Sequence, residues 1–451
     1  MKHFFLNLLL SVFALAMVSA AYAQCKIERE NYLGWNAIKL SNGIITLHVV
    51  PEIGGRVMQL ELDGHNFFSI HPKLKGKVVP AAESDFGMGW KNYGGDKVWT
   101  APQGWERDDQ WPGPPDPVLD AGAYSAEIVA NNSEQAVLRL TSPQDQKSGV
   151  QLGRTITIYR GSSRVQIESF MRNISKRPVR WGIWEVTQHD TTDANTQQEF
   201  NKNFWAYAPI NPRSKFPKGY DYLFGLVNNP AFSVDETGRF LRVHYCYEVG
   251  KVALDSNAGW LAVVNRVSKY GFFETFDYEP NAEYPDNASI EFWLQGAGQL
   301  INNQEITQME GGPGEFPYLM ESEVLSPFAK LYPGEEYKFS LSWFVGKTDG
   351  PVTDVTPAGA VNQSLELITD GASSRLTGKF AIFHQGNALA SFYSASGGKV
   401  AELQLGEVTP SKEFVLDQNI QVPNTAYRVS ITVRNSSNEN LGALAQRILK
   451  Y

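Results

Sequence analysis

Alternation is the feature that most constrains this chain: apolar and polar residues take turns in short runs that Gly, Asn, Asp and Pro interrupt. A β-strand points successive side chains to opposite faces, so such a run buries one face and leaves the other open. Residues 44–50, Arg56–Leu62, 136–140, 154–159 and 164–168 follow this rule, and 259–264, 289–293 and 337–343 continue it. Arg56–Leu62 ends at Asp63-Gly64, a hairpin signal. No long stretch shows helical periodicity before residues 441–449, which read as a short helix or a tail. Many short strands separated by turns predict an all-β chain built as a large antiparallel sandwich.

The character of the chain changes at Gly346-Lys347-Thr348-Asp349-Gly350-Pro351, where Gly and Pro cluster after a strand. Residues 352–451 are rich in Ser and Asn and carry strand patterns at 379–383 and 427–433, which suits a small β-sandwich module. At the other end, Lys2 and His3 precede an apolar run from Phe4 to Val18, and Ala21-Tyr22-Ala23 stands before Gln24. That layout is a secretory signal peptide over 1–23, with an apolar core too short for a membrane anchor. The expected organisation is a signal peptide at 1–23, a large sandwich at 24–347 and a small accessory sandwich at 352–451. The expected location is the periplasm or the exterior, with no integral membrane span after the signal is removed. Cys25 is not expected to carry a lipid, since the residue before a lipidated Cys is small and here it is Gln24.

A net charge of −8 without any block of Lys or Arg disfavours nucleic acid as a partner. The two cysteines, Cys25 and Cys246, have no zinc spacing; in an oxidising compartment they could form one disulfide if their Cα atoms approach closely enough. No metal site is expected. The 11 Trp and 19 Tyr carry more information. Beyond filling cores, these rings stack on sugars, whose axial C–H bonds pack against a π-face.

Four stretches concentrate polar and aromatic residues. In the first, Asn92-Tyr93-Gly94-Gly95-Asp96-Lys97-Val98-Trp99 runs on to Gly104-Trp105. A Gly pair lets the backbone turn tightly or approach a ligand, and Asp96 and Lys97 beside Trp99 suit hydroxyl recognition with ring stacking. An ordinary loop with an ion pair and a core Trp uses the same residues. In the second, Trp181, Ile183, Glu185, Thr187 and His189 share one strand face, and His189 offers an imidazole for proton transfer or simply a structural hydrogen bond. In the third, Glu321 and Glu323 fall on one face of Leu319-Met320-Glu321-Ser322-Glu323; two close carboxylates raise one pKa, whereas a solvated strand face would leave both ordinary. The fourth, Asp277-Tyr278-Glu279-Pro280 with Tyr284-Pro285-Asp286-Asn287, reads as a hydrogen-bonded turn, its acids lacking EF-hand spacing for Ca²⁺.

With these residues in view, the region from about 35 to 346 resembles the galactose mutarotases (aldose 1-epimerases) and their wider mutarotase-like family. Tyr93-Gly94-Gly95-Asp96-Lys97-Val98-Trp99 is similar to the family's Gly-Gly segment on the ligand side. Thr187-Gln188-His189 looks like its Thr-Asn-His strand end, and Leu319-Met320-Glu321-Ser322-Glu323 before Pro333-Gly334-Glu335 looks like its Leu-Glu-Thr segment. The nearest likeness is to a bacterial group with Tyr-Gly-Gly-x-x-x-Trp-x-Ala-Pro and Tyr-Pro-Asp stretches, the latter here Tyr284-Pro285-Asp286. The resemblance implies a galactose mutarotase-like supersandwich that binds a mono- or oligosaccharide without a cofactor. It implies Glu321 or Glu323 as base and His189 as acid, facing each other across a concave sheet, with Arg56, Tyr93, Asp96, Lys97, Trp99 and Trp105 touching the sugar. One departure is plain: mutarotases usually have a His just before the Gly pair, and this chain has Tyr93.

Three functions compete at this level. The first is an exported carbohydrate-binding protein that interconverts anomers by His/Glu acid–base catalysis. The second is a polysaccharide lyase or hydrolase acting on a uronate-containing glycan, with Tyr93, His189 and Arg56 available to a lyase. The third is a non-catalytic glycan-binding protein, toward which the Tyr93 replacement points.

Overall fold

The computed structural model describes residues 24–79, 90–104, 107, 110–302, 305–309, 317–370 and 373–449. Two large antiparallel sheets form the body. The first runs in the order Lys26–Tyr32, Trp35–Ser41, Ile45–Val50, Arg56–Leu62, Asp96–Ala101, Val179–Asp190, Leu319–Leu325, Ile290–Leu294, Gly250–Leu254, Asp221–Gly225. The second is centred on Glu336–Lys347, flanked by Val165–Asn173 and Val150–Tyr159 on one side and Tyr270–Phe276 and Trp260–Asn265 on the other. Alternation places the core as expected: in Val150–Tyr159, Leu152, Ile156 and Ile158 are buried while Gln151, Thr155 and Thr157 are only half-buried. Inward residues of both sheets, among them Leu47, Leu60, Val98, Ile183, Ile156, Leu261 and Trp343, meet in one core. Each such side chain taken from water contributes about 1.5–3 kcal/mol.

Ionised groups are embedded in that core. Arg154 pairs with Asp96 and, at 3.2 Å, with Glu185, to which Ser169 also donates. Thr187 Oγ1 donates to Asp96 at 3.0 Å. Burial lifts the Glu185 carboxyl to about 7 against the pull of Arg154, and pushes neighbouring Glu274 well above the usual range.

Residues beyond 353 build two four-stranded sheets around a core of their own, including Phe380, Phe392, Ile431 and Leu444. This small sandwich sits on the second sheet's outer face, where Trp260, Ala262, Phe273 and Phe344 pack with Val352, Val355, Ala381 and Phe383. Its last strand corrects an expectation. Residues 441–449 form no helix or tail but most of the strand Asn440–Ile448, paired with Arg428–Arg434. The three-residue spacing of Leu441 and Leu444 that imitates a helix fits a strand with two register shifts, which leave each of these leucines as an extra residue in the ladder. Cys25 and Cys246 are both free thiols. The expected signal segment, 1–23, lies outside the described residues, among which no helix is long and apolar enough to cross a membrane.

Candidate functional site

The small sandwich covers the second sheet, and the first sheet turns its own outer face elsewhere. Strand register decides what that face carries. Val186 stands opposite both Lys97 and Glu323, and Glu323 opposite Glu291. In the next row Gln188 stands opposite Glu321, Glu321 opposite Trp293, and Trp293 opposite Lys251. Opposed residues share a face, so five strands combine two lysines, three glutamates and an amide on one surface. Trp99 and Trp184, also directly opposed, lie beside them with ring centroids 5.5 Å apart. Trp111 and Trp90 extend the aromatic wall at 5.0 and 6.2 Å from Trp99.

The electrostatics are those of a crowded, largely buried cluster on the outer side of the sheet. Lys251 Nζ lies 2.7 Å from Glu291 Oε2 and 2.9 Å from Glu323 Oε2, and 4.5 Å above the Trp184 ring. Trp184 Nε1 donates to Glu323 Oε2 at 2.7 Å. Burial raises the pKa of Glu323 and pushes that of Glu291 well up, because one ammonium does not offset the desolvation of two carboxylates. The two carboxylates hold Lys251 in its charged form, above the usual lysine range despite its burial. Lys97 Nζ sits 3.4 Å from Glu321 Oε1 and 4.7 Å over Trp99. Its pKa is lowered, chiefly by burial and further by Arg56, although Glu321 opposes the shift. Gln188 Nε2 donates to the same Glu321 oxygen. Gln188 Oε1, Glu291 Oε1, Glu323 Oε1 and Trp99 Nε1 find no hydrogen-bond partner among the described residues. Buried polar atoms are nearly always paired, so four unpaired ones in a single patch mark a surface suited to a polar ligand.

Of the residues singled out from sequence, Lys97, Trp99, Glu321 and Glu323 come together here. Others do not, and the parity of the strand explains the largest correction. Thr187 and His189 occupy the opposite face of Val179–Asp190 from Gln188, so His189 enters the core between the sheets. It is 1% exposed, within 4.9 Å of the Phe272 ring, and shares a 2.8 Å hydrogen bond with Ser322 Oγ. Burial depresses its pKa to about 3, which keeps the imidazole neutral. It does not face Glu321 and Glu323; Gln188 does. Asp96 likewise faces inward, on Arg154, rather than toward a sugar. Tyr93 is packed with Trp35, Val50 and Met58, and its hydroxyl accepts a hydrogen bond from Val79 N. Arg56 is wholly buried, bonded to Asp120 and to Gly94 O. Its charge reaches Lys97, but its guanidinium is committed to structure. The Tyr93, His189 and Arg56 set that a lyase would use is therefore not assembled. Trp105 lies outside the described residues. The Gly pair serves a tight turn: a Cβ on Gly94, at φ +96, would lie 2.0 Å from Ser69 O, and one on Gly95 2.6 Å from Val57 O.

The sequence does not single out Lys251, Glu291, Trp184 or Trp293, and Gln188 and Asp286 stand in its motifs only beside the residues to which those motifs point. Gly250–Leu254 is buried throughout, and Glu291 is the one polar residue of the strand Ile290–Leu294. A charge inside such a run is a signal, because a fully buried charge needs a partner. Asp286 lies in the Tyr284 turn, near enough for Lys251 and Arg107 to stabilise its charge, although burial raises its pKa overall. Pro285 of that turn packs on Gly182, where a Cβ would lie 2.7 Å from the proline ring. Among the described residues no group of three or more His, Cys, Asp or Glu is arranged to hold a metal ion.

Fold and site together define a large antiparallel β-sandwich with a tryptophan-lined, ionisable outer face. Residues 36–346 match the family model described as Domain of unknown function (DUF4380), and the chain belongs to that family. A comparison with curated protein sequences gives no match. In structure the chain is similar to a galactose mutarotase-like protein from Lactobacillus casei, with 10% identity, coverage of 69% of this chain and 100% of the other, and a TM-score of 0.43. It is also similar to a galactose mutarotase-like protein from Clostridium acetobutylicum (9%, 72% and 99%, 0.44). A TPR-domain containing protein from Parabacteroides distasonis shares 12% identity over 71% of this chain, with a TM-score of 0.47; the chain spans 49% of that protein's length.

Proposed function

We propose that the protein is exported, binds a carbohydrate on the outer face of the first sheet, and interconverts its anomers by proton transfer there. Glu321, the most accessible of the three strand-borne glutamates, takes the proton of the anomeric hydroxyl. Lys97 replaces the expected imidazole as acid: its ammonium sits 3.4 Å from Glu321, and its lowered pKa makes it a readier donor to the ring oxygen. The tryptophan wall supplies stacking, and the unpaired Gln188, Glu291 and Glu323 oxygens accept from sugar hydroxyls. The observation that carries this reading is the convergence of Lys97, Gln188 and Glu321 with Trp99 and Trp184 on one face. Export rests on the Lys2-to-Ala23 pattern alone. A monosaccharide and glycan panel read by NMR tests the reading, since it reports binding, anomer exchange and bond cleavage together. Accelerated exchange that Glu321→Gln removes is expected; absence of exchange with every common aldose would sink the catalytic half. The burial of His189 favours one second reading, a glycan-binding protein without turnover, for which binding survives in Glu321→Gln and no exchange occurs in either protein.

A further inference from the structure

A second cleft, of about 310 Å³, opens beside the Tyr284 turn and has no part in the chemistry above. Arg213 and Lys215 line it together with Asn257, Tyr278, Tyr284 and Asn287. Both cations are exposed, and neither makes an ion pair among the described residues. The one carboxylate in the lining, Asp255, is already occupied: Ser214 Oγ donates to it at 2.6 Å and Lys215 N at 2.7 Å. Tyr278 and Tyr284 stack with centroids 5.4 Å apart and planes 5° from parallel. Tyr284 OH accepts from Glu279 N, so its proton is free to donate. The lining thus offers cationic donors, amides and stacked rings, a combination suited to a sugar that carries an anion.

The cleft also lies in line with the site above. Ser289, Glu291 and Trp293 alternate onto one face, and the ladder continues through Ser289, whose N donates to Leu254 O. Lys251, Ala253 and Asp255 follow the same parity on the neighbouring strand. Ser289 and Asp255 line the cleft while Glu291 and Lys251 belong to the buried charge cluster of the site above. At about 3.3 Å per residue the two sites are separated by only ~7–13 Å along these strands. The Tyr284 turn is their shared wall, since Asp286 senses Lys251 and Asn287 lines the cleft.

From this continuity we infer that the ligand is an oligosaccharide with an acidic unit, whose anion is held by Arg213 and Lys215 while a neighbouring unit lies on the outer face of the first sheet. This rests on the carbohydrate reading of that face. The experiment uses the full chain with three probes: a galacturonic acid trisaccharide, its methyl ester, and a sulfated galactose trisaccharide. Calorimetry is expected to show at least tenfold tighter binding of the acid than of the ester. Arg213→Gln/Lys215→Gln is expected to remove that preference while leaving the ester's affinity unchanged. Tight binding of the sulfated probe in place of the carboxylate identifies the anion and supports the cleft equally. Equal binding of acid, ester and sulfated forms by the unmodified protein, or a preference that survives the double substitution, overturns the inference. The Arg213 Nε–Hε NMR signal separates the two claims. If the ester does not bind but the acid shifts this signal, the outer-face reading fails and the cleft stands; if neither anionic probe shifts it, the cleft fails.

Discussion

Removing the Lys251 ammonium has a consequence that can be worked from the geometry. Its Nζ is the one cation within 3 Å of both Glu291 and Glu323 among the described residues, and both carboxylates are fully buried. After Lys251→Met, Glu323 keeps only the Trp184 donor and Glu291 keeps none. Breaking a buried pair by removing one partner costs about 3–5 kcal/mol, because the charge left behind is uncompensated. The cost depends on pH. Both carboxyls already have raised pKa values, and without Lys251 they rise further, so the folded variant takes up protons that the unfolded chain releases. A carboxyl raised on folding contributes its full stability below its unfolded pKa and loses it as pH climbs through the folded one. Urea unfolding at pH 8 should therefore show a deficit of about 3–5 kcal/mol relative to the unmodified protein, shrinking toward pH 5. Adding Glu291→Gln and Glu323→Gln should recover part of the loss at pH 8. A deficit below about 1 kcal/mol at pH 8, or one that grows toward acid, would refute the assignment of Lys251 as the partner of two buried charges.

Three other outcomes follow from the same physics. His189→Phe should flatten the loss of stability between pH 6.5 and 4, because a histidine whose folded pKa falls to about 3 gives stability that is present above 6.5 and drains away as acid protonates the unfolded chain; parallel pH–stability curves for the two proteins would contradict this. Arg154→Met should cost about 3–5 kcal/mol in urea unfolding by stranding Asp96 and Glu185 between the sheets, and Asp96→Asn should not restore it fully while Glu185 stays charged. Gly94→Ala should lower Tm through strain at φ +96 and contact with Ser69 O, with a cost of at least about 1–3 kcal/mol; an unchanged Tm would show that the turn relaxes freely.

How far the sequence leads here depends on which contacts are local. Alternation in 154–159 gave the strand and its inward residues, because side-chain parity is a property of the backbone itself. In Arg56–Leu62 it gave the strand but not the inward set, since a register shift at Met58 brings Val57 into the core with Leu60 and Leu62. Parity also put Glu321 and Glu323 on one face, and put His189 with Glu185 and Thr187. It could not say which face of Val179–Asp190 meets the second sheet. That depended on Arg154, 31 residues before Glu185 in the chain and on a different sheet, which claims Asp96 and Glu185 for the interior. The Thr187-Gln188-His189 motif therefore pointed to the histidine, whereas the register with Leu319–Leu325 brings Gln188 to Glu321. Lys251 and Glu291 were missed for a related reason. Each looks like one charge in an apolar strand, and their significance appears only when non-adjacent strands are placed side by side.

The most direct test of the account is anomer exchange of bound sugars by NMR, measured side by side for the unmodified protein, His189→Phe and Glu321→Gln, each checked as folded by near-ultraviolet circular dichroism. The account predicts binding and exchange unchanged in His189→Phe and exchange lost in Glu321→Gln. Loss of exchange in folded His189→Phe, with Glu321→Gln left active, would contradict it.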